Sequence, residues 1–158
     1  MMISKSAQRL RDEPNAGGNS VISEVLSFDF LNKAFQAELL KTEMEVCYFP
    51  EGGSITDYVC QIFDKKVGVS VTRAMKYRAE YCDEDAQRLL NKKLGGVNQS
   101  TRNSLEKWTK QILHIWVPNS HTANILAMVY LQLPHEVRSN TIVLITRTTK
   151  SSFIYKNV

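Results

Sequence analysis

Asp57 is the one acid inside the run Ser54-Ile55-Thr56-Asp57-Tyr58-Val59-Cys60-Gln61-Ile62-Phe63. A carboxylate among apolar neighbours costs free energy unless a partner or a chemical task offsets its lost hydration. Three charged residues, Asp64-Lys65-Lys66, follow it. After them comes Val67-Gly68-Val69-Ser70-Val71-Thr72-Arg73-Ala74-Met75. Two runs rich in β-branched and aromatic residues around a charged centre predict a β-hairpin. Closed at Asp64–Lys66, it sets Asp57 across from Thr72 and Arg73, since residues equidistant from a turn face each other. The acid then either serves a site or pairs with Arg73.

Other chemistry-bearing residues are sparse. His114 lies between Leu113 and Ile115, as a hydrogen-bonded core histidine would. His121 and His135 make no metal pair with it. Cys47, Cys60 and Cys82 have neither a CxxC nor a zinc-finger spacing; two of them sit in strand-like apolar runs and read as small core residues, which suits a reducing compartment. There is no phosphate-binding glycine loop, no dinucleotide fingerprint and no Gly-x-Ser-x-Gly elbow. Lys65, Lys66, Arg73, Lys76 and Arg78 gather around the hairpin and its exit, where they would form a phosphate-facing rim or a plain solvated set of charges.

The elements that must position these residues follow from patterning. Residues 1–19 carry charge, Pro14 and Gly17-Gly18 with few large apolar side chains, and are expected to be a flexible tail. Residues 20–158 form one domain. Ser20 is a candidate N-cap. Val21, Val25, Phe28, Leu31, Phe35 and Leu39 recur at spacings of three and four, which predicts an amphipathic helix to about Lys41. Glu24 and Glu38 sit on or beside its apolar stripe. Glu45–Phe49 reads as a short strand stopped by Pro50. Asp83–Asp85 open a second helix that closes at Gly95-Gly96. A polar loop, Val97 to Ser104, follows. It holds Asn98, Gln99, Thr101 and Arg102, a surface suited to sugar or phosphate contacts. Gln111–Val117 is apolar enough for a central strand buried on both faces. Ser120 to about Leu133 is a third helix, Thr141–Thr146 a strand, and Phe153–Tyr155 an added edge strand. The order α β β β α β α β predicts a three-layer α/β domain on a mixed sheet.

The chain has 158 residues, is 43% hydrophobic and carries a net charge of +4. That size supports one sizeable core. The mild basic excess permits a polyanionic partner without requiring one. No apolar run reaches the roughly 18 residues of a membrane span, and the first residues lack a secretory h-region. The expected location is cytoplasmic or nuclear, with no membrane partner.

With an acid on the second strand, this order resembles the PD-(D/E)XK restriction-endonuclease-like superfamily over about Ser20 to Thr146. The resemblance implies an αβββαβ core, here with a further helix and strand. It implies DNA or RNA as partner and, in active members, Mg²⁺-dependent phosphodiester cleavage. The family's metal-binding aspartate matches Asp57. Its first-helix acid matches Glu24, with Glu38 as second choice. Its (D/E)-x-K falls on Ser70-Val71-Thr72, where acid and lysine are both missing. Arg73 or Lys76 would then supply the cation, and Gln87 the polar residue some members carry early on the second helix. Asp64-x-Lys66 spells the motif, but at the far end of the hairpin. Two functions follow: a metal-dependent nuclease, or an inactive domain of the same fold that binds a nucleic acid or a protein partner.

Overall fold

Alternation along a strand sends its side chains to two faces. The third strand shows what each face meets. Val67, Val69 and Val71 pack with Phe28, Leu31, Tyr58, Ile112 and Trp116 on one side of the sheet. Leu113, Ile115 and Val117 of the neighbouring strand pack with Leu90, Leu94, Leu126 and Val129 on the other. Two apolar layers therefore sandwich a sheet, giving a three-layer α/β architecture.

The structure is a computed structural model that describes residues 5–12, 21–76 and 79–148. Its elements are α1 (Lys5–Asp12), α2 (Val21–Phe35), β1 (Glu38–Thr42), a 3₁₀ turn (Glu43–Glu45), β2 (Tyr58–Ile62), β3 (Lys65–Arg73), α3 (Asp83–Asn103), β4 (Lys110–Val117), α4 (Ser120–Gln132), α5 (His135–Arg138) and β5 (Thr141–Arg147). The strands lie in chain order across one five-stranded sheet. β1, β2 and β3 form an antiparallel meander. β4 runs parallel to β3, and β5 parallel to β4. This is the expected αβββαβ core with a further helix and strand. No helix among the described residues is long and apolar enough to cross a membrane.

Polar side chains tie α2 to the sheet. Ser27 Oγ lies 2.8 Å from the Tyr58 hydroxyl and 2.6 Å from His114 Nδ1. His114 Nε2 lies 2.9 Å from Thr146 Oγ1. Ser27, Tyr58 and His114 are fully buried. Burial pushes the His114 imidazole down to about 4, so it is neutral near pH 7. The core histidine expected from the sequence is thus a satisfied hydrogen-bonding node.

Several boundaries differ from the sequence expectation. α2 stops at Phe35 because Gln36 takes a left-handed conformation (φ 55°) and its amide returns to Asn32 O at 2.9 Å. The chain then turns straight into β1, so Glu38 is an exposed strand residue rather than a helical one. Glu45–Phe49 is not a strand of the sheet; Tyr48 makes a lone bridge to Ser104. α3 runs through Gly95-Gly96 to Asn103, which places Asn98, Gln99, Thr101 and Arg102 on a helix rather than a loop. Gly96 allows a close approach: a Cβ there would lie 3.0 Å from Ser54 Oγ. A helix, α1, occupies part of the expected tail and packs on α2. Ser20, Arg78 and Phe153–Tyr155 lie outside the described residues.

Candidate metal and phosphodiester site

The site is built where β2 begins. The ladder between β2 and β3 pairs Ile62 with Lys65 and Tyr58 with Val69, so the hairpin turn is the two residues Phe63 and Asp64. The shorter turn moves Asp57 relative to the expectation. Its amide donates to Val69 O at 2.9 Å, and its Oδ2 accepts from the Val71 amide at 2.7 Å. It therefore faces the Ser70–Val71 step, not Thr72 and Arg73. One step before the start of β2, a side-chain carboxylate takes over from the main chain as ladder acceptor.

The loop before Asp57 is anchored on three sides. Thr56 Oγ1 donates to Val69 O at 2.9 Å, and the Thr56 amide to the Tyr48 hydroxyl at 2.8 Å. The Ser54 amide donates to Gln99 Oε1 on α3 at 2.9 Å. Gly52 and Gly53 have φ of 89° and 79°, a region that favours glycine. A Cβ at Gly53 would also lie 2.9 Å from Gln99 Oε1.

Two glutamates join Asp57. Glu24 sits in the first turn of α2 and is buried, with 6% of its surface exposed. Glu43 opens the 3₁₀ turn after β1, a turn closed by the Thr42 amide and hydroxyl donating to Glu45 Oε1 at 2.9 and 2.7 Å. One carboxylate oxygen from each of Glu24, Glu43 and Asp57 lies within 4.8 Å of the others. The acidity of Asp57 reflects its burial more than its acidic neighbours. Its carboxyl is pushed up to about 6, chiefly by burial. The Val71 amide and a side-chain hydrogen bond with Glu24 pull it back. The Glu43 charge raises it and the Lys93 charge lowers it.

Glu43 and Asp57 open onto a cavity of about 600 Å³ between the exit of β3 and the middle of α3. Ser70, Thr72 and Arg73 line it from β3, and Lys92 and Lys93 from α3. The acidic cluster thus faces a cationic wall. The structure brings together Glu24, Asp57, Ser70, Thr72 and Arg73. It leaves out Glu38 and the Asp64-x-Lys66 sequence, which lies at the hairpin turn.

The expected basic rim divides. Lys65 and Lys66 sit at the start of β3, roughly 23 to 26 Å from Arg73 at about 3.3 Å per residue, and Lys66 pairs with Glu106 at 3.0 Å. Lys76 lines a second cavity beyond Arg73. Gln87 is exposed on α3 and lines none of these cavities. Arg102 borders a separate polar cavity of about 300 Å³ near the other end of α3. Sequence reasoning missed Glu43, Lys92 and Lys93. Glu43 falls just outside the short strand expected at Glu45–Phe49. Lys92 and Lys93 look like end-of-helix charges as long as Gly95-Gly96 is read as a stop. Lys92, four residues after Arg88 on one continuous helix, carried the available signal.

No family model matches the chain. The "AAC-rich mRNA clone AAC4 protein" of Dictyostelium discoideum is 44% identical over 162 residues, covering 98% of this chain and 24% of that protein. The chain thus spans about a quarter of the length of the curated relative it matches. Among solved structures, Pyrococcus furiosus SfsA in complex with Ca²⁺ aligns with 89% of this chain and 57% of its own, at 12% identity and a TM-score of 0.41.

Proposed function

We propose that this chain acts on nucleic acid as a metal-dependent phosphodiesterase. The observation that supports this most is the convergence of Glu24, Glu43 and Asp57 within 4.8 Å, beside a cavity wall carrying Arg73, Lys92 and Lys93. Three carboxylates are a hard oxygen donor set of the kind that suits Mg²⁺ or Mn²⁺. Such an ion, when bound, polarises a phosphoryl oxygen and lowers the pKa of water.

The remaining work falls to the chain. Glu43 would supply the carboxylate that Ser70 does not, and Lys93 the ammonium that Thr72 does not. The three acids would hold the ion. Lys93, whose charge already acts on Asp57, would orient the attacking water or a phosphate oxygen. Ser70 and Thr72 would donate hydroxyl hydrogen bonds to the phosphate. Arg73 and Lys92 would neutralise the approaching strand.

Titration calorimetry with Mn²⁺ or Mg²⁺ tests this, followed by incubation with plasmid DNA and with single-stranded RNA. Binding of one ion and metal-dependent cleavage are expected. Glu43→Gln and Asp57→Ala should abolish both. Lys93→Ala should slow cleavage about 100-fold, the scale of a missing acid–base or electrostatic group, with little change in metal affinity. A wild-type protein with no metal-dependent heat would reject the proposal. Neutral hydroxyls at Ser70 and Thr72 favour a second reading, an inactive domain of this fold that binds a nucleic acid or a protein partner, and that result would support it.

A further inference from the structure

The cavity beside the acids does not end at Arg73. A second cavity of about 270 Å³ adjoins it and shares two residues with it, Arg73 and Lys92. Lys76 and Arg88 complete its charged lining, together with Asp85. The α3 residues here are Asp85, Arg88, Leu89 and Lys92, and Lys93 and Gly96 continue into the first cavity. Spacings of three and four put them on one helix face, so a single stripe of α3 borders both.

Charge in this second cavity is lopsided and held in place. Four cations face one carboxylate. Asp85 is kept ionised far below neutral pH, at about 2, by hydrogen bonds from the Cys82 thiol and amide and from Lys76. It lies 3.1 Å from Lys76 Nζ and 3.8 Å from Arg88 Nη1. One acid thereby orients two long basic side chains without cancelling them. Arg88 still exposes 77% of its side chain and Lys76 41%. Among the described residues, the cluster of carboxylates able to hold a metal ion lies in the first cavity, not here.

We propose that Arg73, Lys76, Arg88 and Lys92 form a phosphate subsite for a nucleic-acid strand whose reacting phosphate lies at Glu24, Glu43 and Asp57. The inference rests on the nuclease reading and adds a direction to it. The strand leaves the carboxylates along the first half of α3, past Arg73. The substrate is then an extended polynucleotide rather than a mononucleotide, because a single phosphate cannot occupy both cavities.

Fluorescence anisotropy with a labelled single-stranded oligonucleotide of about twelve nucleotides, in EDTA, tests the subsite without any need for metal or turnover. Arg88→Glu should weaken binding at least tenfold, and Arg88→Ala by less in the same direction. The slope of log K against log salt should become shallower by about 0.7 for each phosphate that is no longer neutralised. Lys65→Glu, at the far end of β3, is the comparison and should change affinity less than twofold. Circular dichroism melts check that each variant folds. Equal weakening by the Arg88 and Lys65 variants, or by neither, would overturn the subsite. Mn²⁺ calorimetry on the same proteins separates the two proposals. Metal binding by the wild type together with an Arg88 variant of undiminished strand affinity would sink only the subsite. Strand binding that depends on Arg88, without metal binding, would sink only the cleavage reading.

Discussion

The Val71 amide donates to Asp57 Oδ2 at 2.7 Å. That bond decides which substitutions at Asp57 are informative. Asparagine can keep the acceptor, whereas alanine removes it and leaves a main-chain donor without its partner.

Asp57→Asn should therefore fold, and should be more stable than the wild type at pH 7. The acid has its pKa raised from 3.8 to about 6, so ionising it in the folded state costs free energy that asparagine does not incur. The gain should be on the order of 1–3 kcal/mol, read from urea denaturation. Asp57→Ala should gain less, or lose stability. An asparagine variant that is clearly less stable would show that the carboxylate is a structural anchor instead.

Metal affinity should depend on pH in the same range. An ion needs the ionised carboxylate, so Mn²⁺ binding should be level above about pH 6, the pKa of Asp57. Below it, affinity should fall about tenfold per unit as a proton competes. Calorimetry at pH 5, 6 and 7.5 reads this directly.

His114 gives the opposite slope to Asp57 in the stability curve. Its folded pKa, about 4, is below the ordinary 6.5, so the unfolded chain binds the extra proton between those values. Its contribution is complete above pH 6.5 and is lost as pH falls toward 4. That amounts to about 3 kcal/mol. Asp57 works in reverse, its contribution being lost as pH rises from 3.8 to 6. The two offset each other in the wild type. In Asp57→Asn the offset is gone, so denaturation midpoints should rise more steeply between pH 4 and 6.5 than they do in the wild type.

The glycines separate by what surrounds them. A Cβ at Gly68 would meet the Trp108 ring at 2.8 Å, whereas one at Gly95 meets nothing within 4 Å. Gly68→Ala should cost about 1–3 kcal/mol from overpacking. Gly95→Ala, in the exposed interior of α3, should add up to about 1 kcal/mol from helix propensity. Thermal melts of the two variants should shift in opposite directions.

Much of this fold was legible because its signals are local. The β-branched runs around Lys65, the apolar strand Gln111–Val117 and the helix from Ser120 follow directly from residue type. Errors arose where tertiary structure overrode a local rule. Gln36 ends α2 without a glycine, so β1 was absorbed into a helix. Gly95-Gly96 reads as a stop, yet α3 passes through it, and Gly96 there lets Ser54 come close. The candidate site was legible in its plainest cue, an acid stranded among apolar residues, with Glu24 one helix turn before Phe28 on or beside the apolar stripe. Glu43 and Lys93 were not, because they reach Asp57 only after three distant segments are folded together.

Glu24 belongs to the helix over one face of the sheet, and Lys93 to the helix over the other. Asp57 stands between them at the mouth of the hairpin. A half-assembled chain that has docked only one of those helices would have an incomplete charge set. The candidate site is therefore complete only once both layers have closed over the strands.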